Sequence, residues 1–195
     1  RLTIGFGLVI SVFIAGMAAI LVYQGRTLAS ANQIQNESLP FALRADQMLL
    51  DVAQLGEALT DAAATHNRDS LKEAEEKSID FHKNAELFKT MFRNENDLVA
   101  LKKMEEIDAK FAAHYEMGKK MVEIYIQRGM RDGNELMEAF DQDSEELDRA
   151  LNEFNKSQVD EANAMAATIV DASNNSYNLI LLSGVLGLTL GAIIS

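Results

Sequence analysis

The 195-residue chain carries 30 acidic and 18 basic side chains, a net charge of −12. That balance excludes the clustered Lys and Arg footprint that nucleic-acid binding requires. The absence of cysteine excludes a disulfide framework, a thiolate nucleophile and a thiolate metal site.

Charge is unevenly placed along the chain. Residues 2–23 carry none, and a run of roughly 20 apolar residues is long enough to cross a bilayer core as a helix. The run is too long for the apolar core of a signal peptide and shows no small-residue cleavage site, so it reads as retained. Arg1 is the only charge outside the central segment. Positive charge beside a membrane span stays in the cytoplasm, which places the N-terminus inside and the acidic central segment outside. Tyr23, at the outer end of this span, is a membrane-interface anchor, since amphipathic aromatic rings settle at headgroup level.

The central segment, 24–177, has the composition of helices: rich in Ala, Leu, Met, Glu and Lys, with one proline in the whole chain and no tryptophan. The first helix is expected over 24–66. Pro40 interrupts it by removing a backbone donor, which predicts a kink or restart near Ser38. Its apolar seam is read through Leu43, Asp46 and Leu50. The stretch Thr65 to Ser70 ends this helix, and Ser70 with Glu73 has capping-box spacing.

The second helix follows the seam Leu71, Ala74, Ser78, Phe81, Ala85, Phe88, Phe92, and a break falls at 93–97. The third follows Leu101, Met104, Asp108, Phe111, Tyr115, Gly118, Val122, Tyr125 and ends at Gly129 to Gly133, where Asp132 is placed to begin the fourth. The fourth follows Phe140, Ser144, Leu147, Leu151, Phe154, Gln158, then steps by four to Ala162. Alternating steps of three and four are the seam of a helical bundle, and the added four-residue step is a stutter.

At about 1.5 Å per residue the helices rise roughly 65 Å, descend 38, rise 51 and return 69, so the path closes to within about 10 Å. A second uncharged run, 179–194, then forms another span, with Tyr177 as its outer anchor. Gly184, Gly187 and Gly191 mark its helix-packing face, because small residues let backbones meet. A smooth glycine surface also lets such a span slide or rotate against its neighbour. The expected fold is therefore all-α: an antiparallel up-down four-helix bundle whose first and fourth helices continue into two transmembrane helices. Its parts are transmembrane helix 1 (1–23), an extracytoplasmic bundle (24–177) and transmembrane helix 2 (178–195).

No catalytic carrier is visible: there is no nucleophile with its base, no phosphate-cradling loop and no hydrolase elbow. Bundle di-iron sites need Glu-x-x-His pairs, and the residues three before His66, His82 and His114 are Ala63, Ile79 and Phe111. The histidines stand at different heights, and each reads as a solvated or flanking residue. No enzyme activity, cofactor or metal is expected.

Carboxylates on an apolar seam are costly to bury alone. Asp46 and Asp108 therefore rotate outward, pair, or contact a ligand or second subunit. Arg44 is a candidate anion contact. Tyr115 either packs in the core or places its hydroxyl in a pocket. The acidic run from Asp141 to Asp148 reads as a solvated face.

The opening Arg1-Leu2-Thr3-Ile4-Gly5-Phe6-Gly7-Leu8-Val9 resembles the first membrane segment of bacterial methyl-accepting chemotaxis proteins. The central segment is similar to their four-helix sensory module. Two stretches carry the likeness: Asp51-Val52-Ala53-Gln54 through Leu59-Thr60-Asp61-Ala62-Ala63-Ala64-Thr65, and Gly133-Asn134-Glu135-Leu136-Met137-Glu138-Ala139-Phe140-Asp141. The resemblance implies the sensor region of a multi-pass chemoreceptor in the bacterial inner membrane, its central domain periplasmic, working as a homodimer. It implies a small-molecule ligand or a periplasmic binding protein outside. Inside, it implies a cytoplasmic kinase and adaptor, reached through an output part beyond Ser195. Sensor histidine kinases carry similar modules, and a non-sensing helical anchor or assembly protein is a third reading. The arginine-rich ligand motif of the amino-acid receptors has no counterpart at a matching position.

Overall fold

The computed structural model describes residues 2–194, with side chains described at 7 and at 9–192. Arg1, on which the expected orientation rests, and Ser195, the end of the expected second span, lie outside the described residues. The elements in chain order are α1 (Leu2–Gln33), a π-helical turn (Ile34–Ser38), α2 (Leu39–Thr65), α3 (Asp69–Glu95), α4 (Leu98–Arg128) and α5 (Met130–Ile194). No strand occurs among the described residues.

The breaks fall where the backbone leaves the right-handed helical region. His66, Asn96 and Gly129 have φ of 58°, 58° and 84°. Asn tolerates the left-handed region and Gly carries no Cβ to clash there. Asp97 then starts α4, its carboxylate accepting from the backbone N–H of Val99 at 3.1 Å and of Ala100 at 2.9 Å, which satisfies two otherwise orphaned donors.

Ser70 does not cap α3. The helix already begins at Asp69, whose N–H donates to Asn67 Oδ1 at 3.0 Å. Ser70 Oγ instead donates back to Asp61 Oδ2 at 2.6 Å. Pro40 follows directly on the π-helical turn and the start of α2. Within that wider turn Leu39 N–H reaches back to Ile34 C=O, accommodating a residue that offers no donor of its own.

The chain forms two compact units, Phe41–Gln158 and Arg1–Pro40 with Val159–Ser195. The first is shorter at both ends than the segment 24–177 expected between the apolar runs. In it, α2, α3, α4 and the first part of α5 supply one hydrophobic core. Phe81 and Phe111 stack at 3.7 Å between ring centroids, and Phe88 meets Phe154 edge-on at 4.8 Å and Phe41 at 5.0 Å. Gly118 is required where it stands, because a Cβ there would strike Leu59 and Phe140.

Polar and aromatic partners run in opposite directions between α2 and α3 and between α4 and the first part of α5. Phe41, Arg44 and Asp61 meet Phe88, Asn84 and Ser70. Lys103, Lys110 and His114 meet Glu153, Glu146 and Asp143.

The seam on α2 is not the expected one. Leu43 and Leu50 are 60% and 47% exposed, while Ala45, Met48, Val52, Leu55, Leu59 and Ala62 are buried. Those six positions also step by three and four, and unlike Leu43, Asp46 and Leu50 they sustain an apolar stripe over the whole helix.

In the second unit, Phe13 and Gly16 of α1 meet Gly187 and Ser183 of α5. A Cβ on Gly187 would stand 2.5 Å from the Phe13 ring, and one on Gly16 would stand 3.1 Å from Ser183 Cβ. Ser38 Oγ donates to Met165 Sδ at 3.0 Å. Among the described residues one helical run, Val9–Thr65, is long and apolar enough to cross a membrane.

Candidate functional site

The expected ligand residues do not converge. Arg44, half-buried on α2, donates from Nη1 to Asn84 Oδ1 at 3.1 Å. Asp46 is exposed and accepts from Asn155 Nδ2 at 2.7 Å. Asp108 faces α3 with both oxygens engaged, by His82 Nδ1 at 2.5 Å and by Lys89 Nζ at 2.5 Å. Of the three outcomes open to a seam carboxylate, Asp108 takes the pair. Burial pulls the Lys89 ammonium's pKa down, but hydrogen bonds and charge from Asp108 and Glu86 outweigh it and hold the group above its ordinary value. Such a closed ion pair leaves no free anion contact.

Tyr115 stands elsewhere, in a cleft of about 420 Å³ between the start of α3 and the second half of α4. Leu71, Val122 and Ile126 contribute its aliphatic surface, and Arg68, Lys72, Glu75, Lys119, Glu123 and Gln127 its polar rim. Lys119 Nζ lies 4.5 Å from the Tyr115 ring centroid and donates to Glu116 Oε1 at 2.5 Å. That bond keeps the lysine's pKa above its ordinary value. Burial raises the Tyr115 phenol, Lys119 works against it, and Glu75 and Glu116 add to it, so the hydroxyl stays protonated and able to donate. Lys72 is held by Asp69 at 2.9 Å. Polar and charged side chains outnumber the aliphatic ones around this cleft.

No protein-family model, curated protein or solved structure matches this chain.

One buried group departs from what the sequence suggests, and a second was not singled out by it. His114, expected to be solvated or flanking, is fully buried. Its Nδ1 lies 2.8 Å from Asp143 Oδ2, its ring stacks on Phe140 at 4.2 Å, and Nε2 has no hydrogen-bond partner. Burial pushes its pKa below the ordinary value, opposed by Asp143 and Asp148. The ring is therefore neutral at pH 7, with Nδ1–H donating to the carboxylate. The sequence did hold the signal: Met104, Ile107, Phe111, His114, Gly118, Met121 and Tyr125 form a second three-four series on α4, and all are buried.

Asp51, also fully buried, accepts from Gln47 Nε2 at 2.9 Å through Oδ1, while Oδ2 has no partner. Burial raises its pKa, with Gln47 lowering, Asp80 raising and Lys77 lowering it in turn. No group of three His, Asp or Glu placed to hold a metal occurs among the described residues.

Of the three glycines expected to form a helix-packing face, Gly187 is buried against Phe13, whereas a Cβ on Gly184 or Gly191 would meet nothing within 4 Å. Tyr23 is half-buried and Tyr177 is 63% exposed.

Proposed function

We propose that the chain is the transmembrane and extracytoplasmic sensor region of a bacterial chemoreceptor. In this reading residues 41–158 form an up-down four-helix bundle outside the membrane, and α1 and the end of α5 supply two membrane crossings. A stimulus, as a small molecule or a docked binding protein, favours one arrangement of the helices by its differential contact energy. A helix shift of about 1–2 Å, the common scale for such transitions, then biases a cytoplasmic kinase-controlling module in a homodimer. The chain itself performs no catalysis.

The observation that carries the reading is the run of oppositely directed partners around one four-segment core, from Phe41 with Phe88 to His114 with Asp143. Oppositely directed neighbours around one core support an up-down bundle. The cleft holding Tyr115 gives it a surface on which a small molecule can act.

The test is to join residues 1–195 to the cytoplasmic part of a characterised chemoreceptor and record kinase output in cells. Phe13→Ala and Gly187→Leu, which alter the α1–α5 contact, are expected to shift the resting output in either direction while leaving expression unchanged. Output indifferent to both substitutions contradicts the reading. A chimera that controls no kinase but still forms stable membrane assemblies favours the anchor reading instead.

A further inference from the structure

Arg26 is the first charge after the uncharged run 2–25, and Asp171 is the last charge before the uncharged run 172–195. The fold brings these two border residues to one groove of about 510 Å³, which Tyr23, Ser30, Thr168 and Asn175 help to line. Both are exposed, and although they share the groove no ion pair joins them. A free guanidinium and a free carboxylate thus stand at the border between apolar and polar surface, with an aromatic ring beside them.

We propose that this groove binds the headgroup of a glycerophospholipid carrying a primary amine, of the ethanolamine type. The proposal rests on the membrane reading above. The guanidinium matches phosphate oxygens in a planar, bidentate way. The Asp171 carboxylate accepts from the ammonium, and the Tyr23 ring lies against the glycerol region, where aromatic side chains settle in bilayers. Choline offers the carboxylate no N–H, and a glycerol headgroup leaves a net anion facing Asp171. The opposed charges of the groove therefore select a zwitterion with donors rather than any phospholipid.

The full chain in mixed micelles holding equal dioleoyl phosphatidylethanolamine, phosphatidylcholine and phosphatidylglycerol, read by native mass spectrometry, tests this. The ethanolamine lipid is expected to be retained about tenfold over the others, the scale of one charge-assisted hydrogen bond. Arg26→Gln is expected to lower retention of all three lipids. Asp171→Asn is expected to remove only the preference for ethanolamine.

Equal retention by the wild-type chain, or a preference unchanged in both variants, overturns the proposal. Equally tight retention of free glycerophosphoethanolamine would make the groove a site for a soluble solute and also overturns it. Flotation with vesicles separates the levels: a chain that does not float overturns the membrane reading and this proposal together. A chain that floats without headgroup preference overturns this proposal alone.

Discussion

Within residues 41–158 apolar side chains face one another. Phe81 and Phe111 stack at 3.7 Å, and Met48, Leu55, Leu59, Met104, Leu147 and Leu151 are fully buried. In the apolar parts of α1 and α5 they face outward: Ile14, Met17 and Leu21 are each 64% exposed, Leu182 is 61% and Leu188 is 77%. There the small residues lie inside, with Gly187 under Phe13 and Gly16 against Ser183. Large side chains inside fit a unit driven together by water. Large side chains outside with small ones at the contact fit helices packed in lipid, where van der Waals approach replaces the hydrophobic drive.

The largest effect that sharpens this contrast is expected at the stacked pair. Phe111→Ala should cost about 3–5 kcal/mol, as truncation of a buried phenylalanine does. Met17→Ala should change the unfolding free energy from the same denaturant melt by less than about 0.5 kcal/mol, as exposed substitutions do. Equal losses would break the comparison.

Asp108→Ala comes next. It strands the Lys89 ammonium, only 10% exposed, with Glu86 as its remaining partner. A loss of about 1–3 kcal/mol is expected from a half-satisfied buried charge, recovered in part by Asp108→Ala combined with Lys89→Met. No recovery in the double variant would mean the pair is not the source of the loss.

His114 and Asp51, both buried, give opposite pH dependences. The folded pKa of His114 lies below 6.5, so the unfolded chain binds its proton first. Its share of stability is present above 6.5 and is lost as pH falls below that value; His114→Gln should remove this acid-side decline. The folded pKa of Asp51 lies above 3.8, so the unfolded chain releases its proton first. Stability from this group is lost as pH rises above 3.8, and Asp51→Asn should raise stability at pH 7. Chemical melts across pH 4–8 check both, and a slope unchanged by either substitution contradicts its assignment.

Smallest is the effect at the contact between α1 and α5. With Gly16→Cys and Ser183→Cys introduced into this cysteine-free chain, the 3.1 Å Cβ approach needs only a slight shift to reach disulfide geometry. Gly187→Leu, by displacing Phe13, should lower the oxidation yield several-fold without changing the melt of the other unit. An unchanged yield would mean that the contact does not hold the helices in register.

What the sequence disclosed depended on side-chain size along each helix. The seams of α3 and α4 were legible because Phe81, Phe88, Phe92, Phe111 and Val122 recur at bundle spacing with charged residues between them. On α2 the buried stripe holds Met48, Val52, Leu55 and Leu59 between Ala45 and Ala62, while further leucines sit on the open face at Leu43 and Leu50. Large apolar side chains thus stand on both faces, and only the longer three-four series resolves which is buried. His114 escaped for a related reason: the buried face of α4 is two stripes wide, and the second contains a polar ring. Tyr115 was legible as a seam residue able to reach a pocket. Its neighbours Arg68, Lys72 and Glu75 come from another helix, and spacing within one helix carries no information about which helix lies beside it.

The claim that residues 41–158 lie outside a membrane crossed twice can be tested most directly by cysteine labelling in intact cells. Val99→Cys and Arg131→Cys place thiols on exposed positions near two helix turns, and a third variant carries a cysteine appended after residue 195. A membrane-impermeant maleimide is expected to label the first two in intact cells, and the third only after permeabilisation. Labelling of the appended cysteine in intact cells, or protection of the other two, would contradict the account.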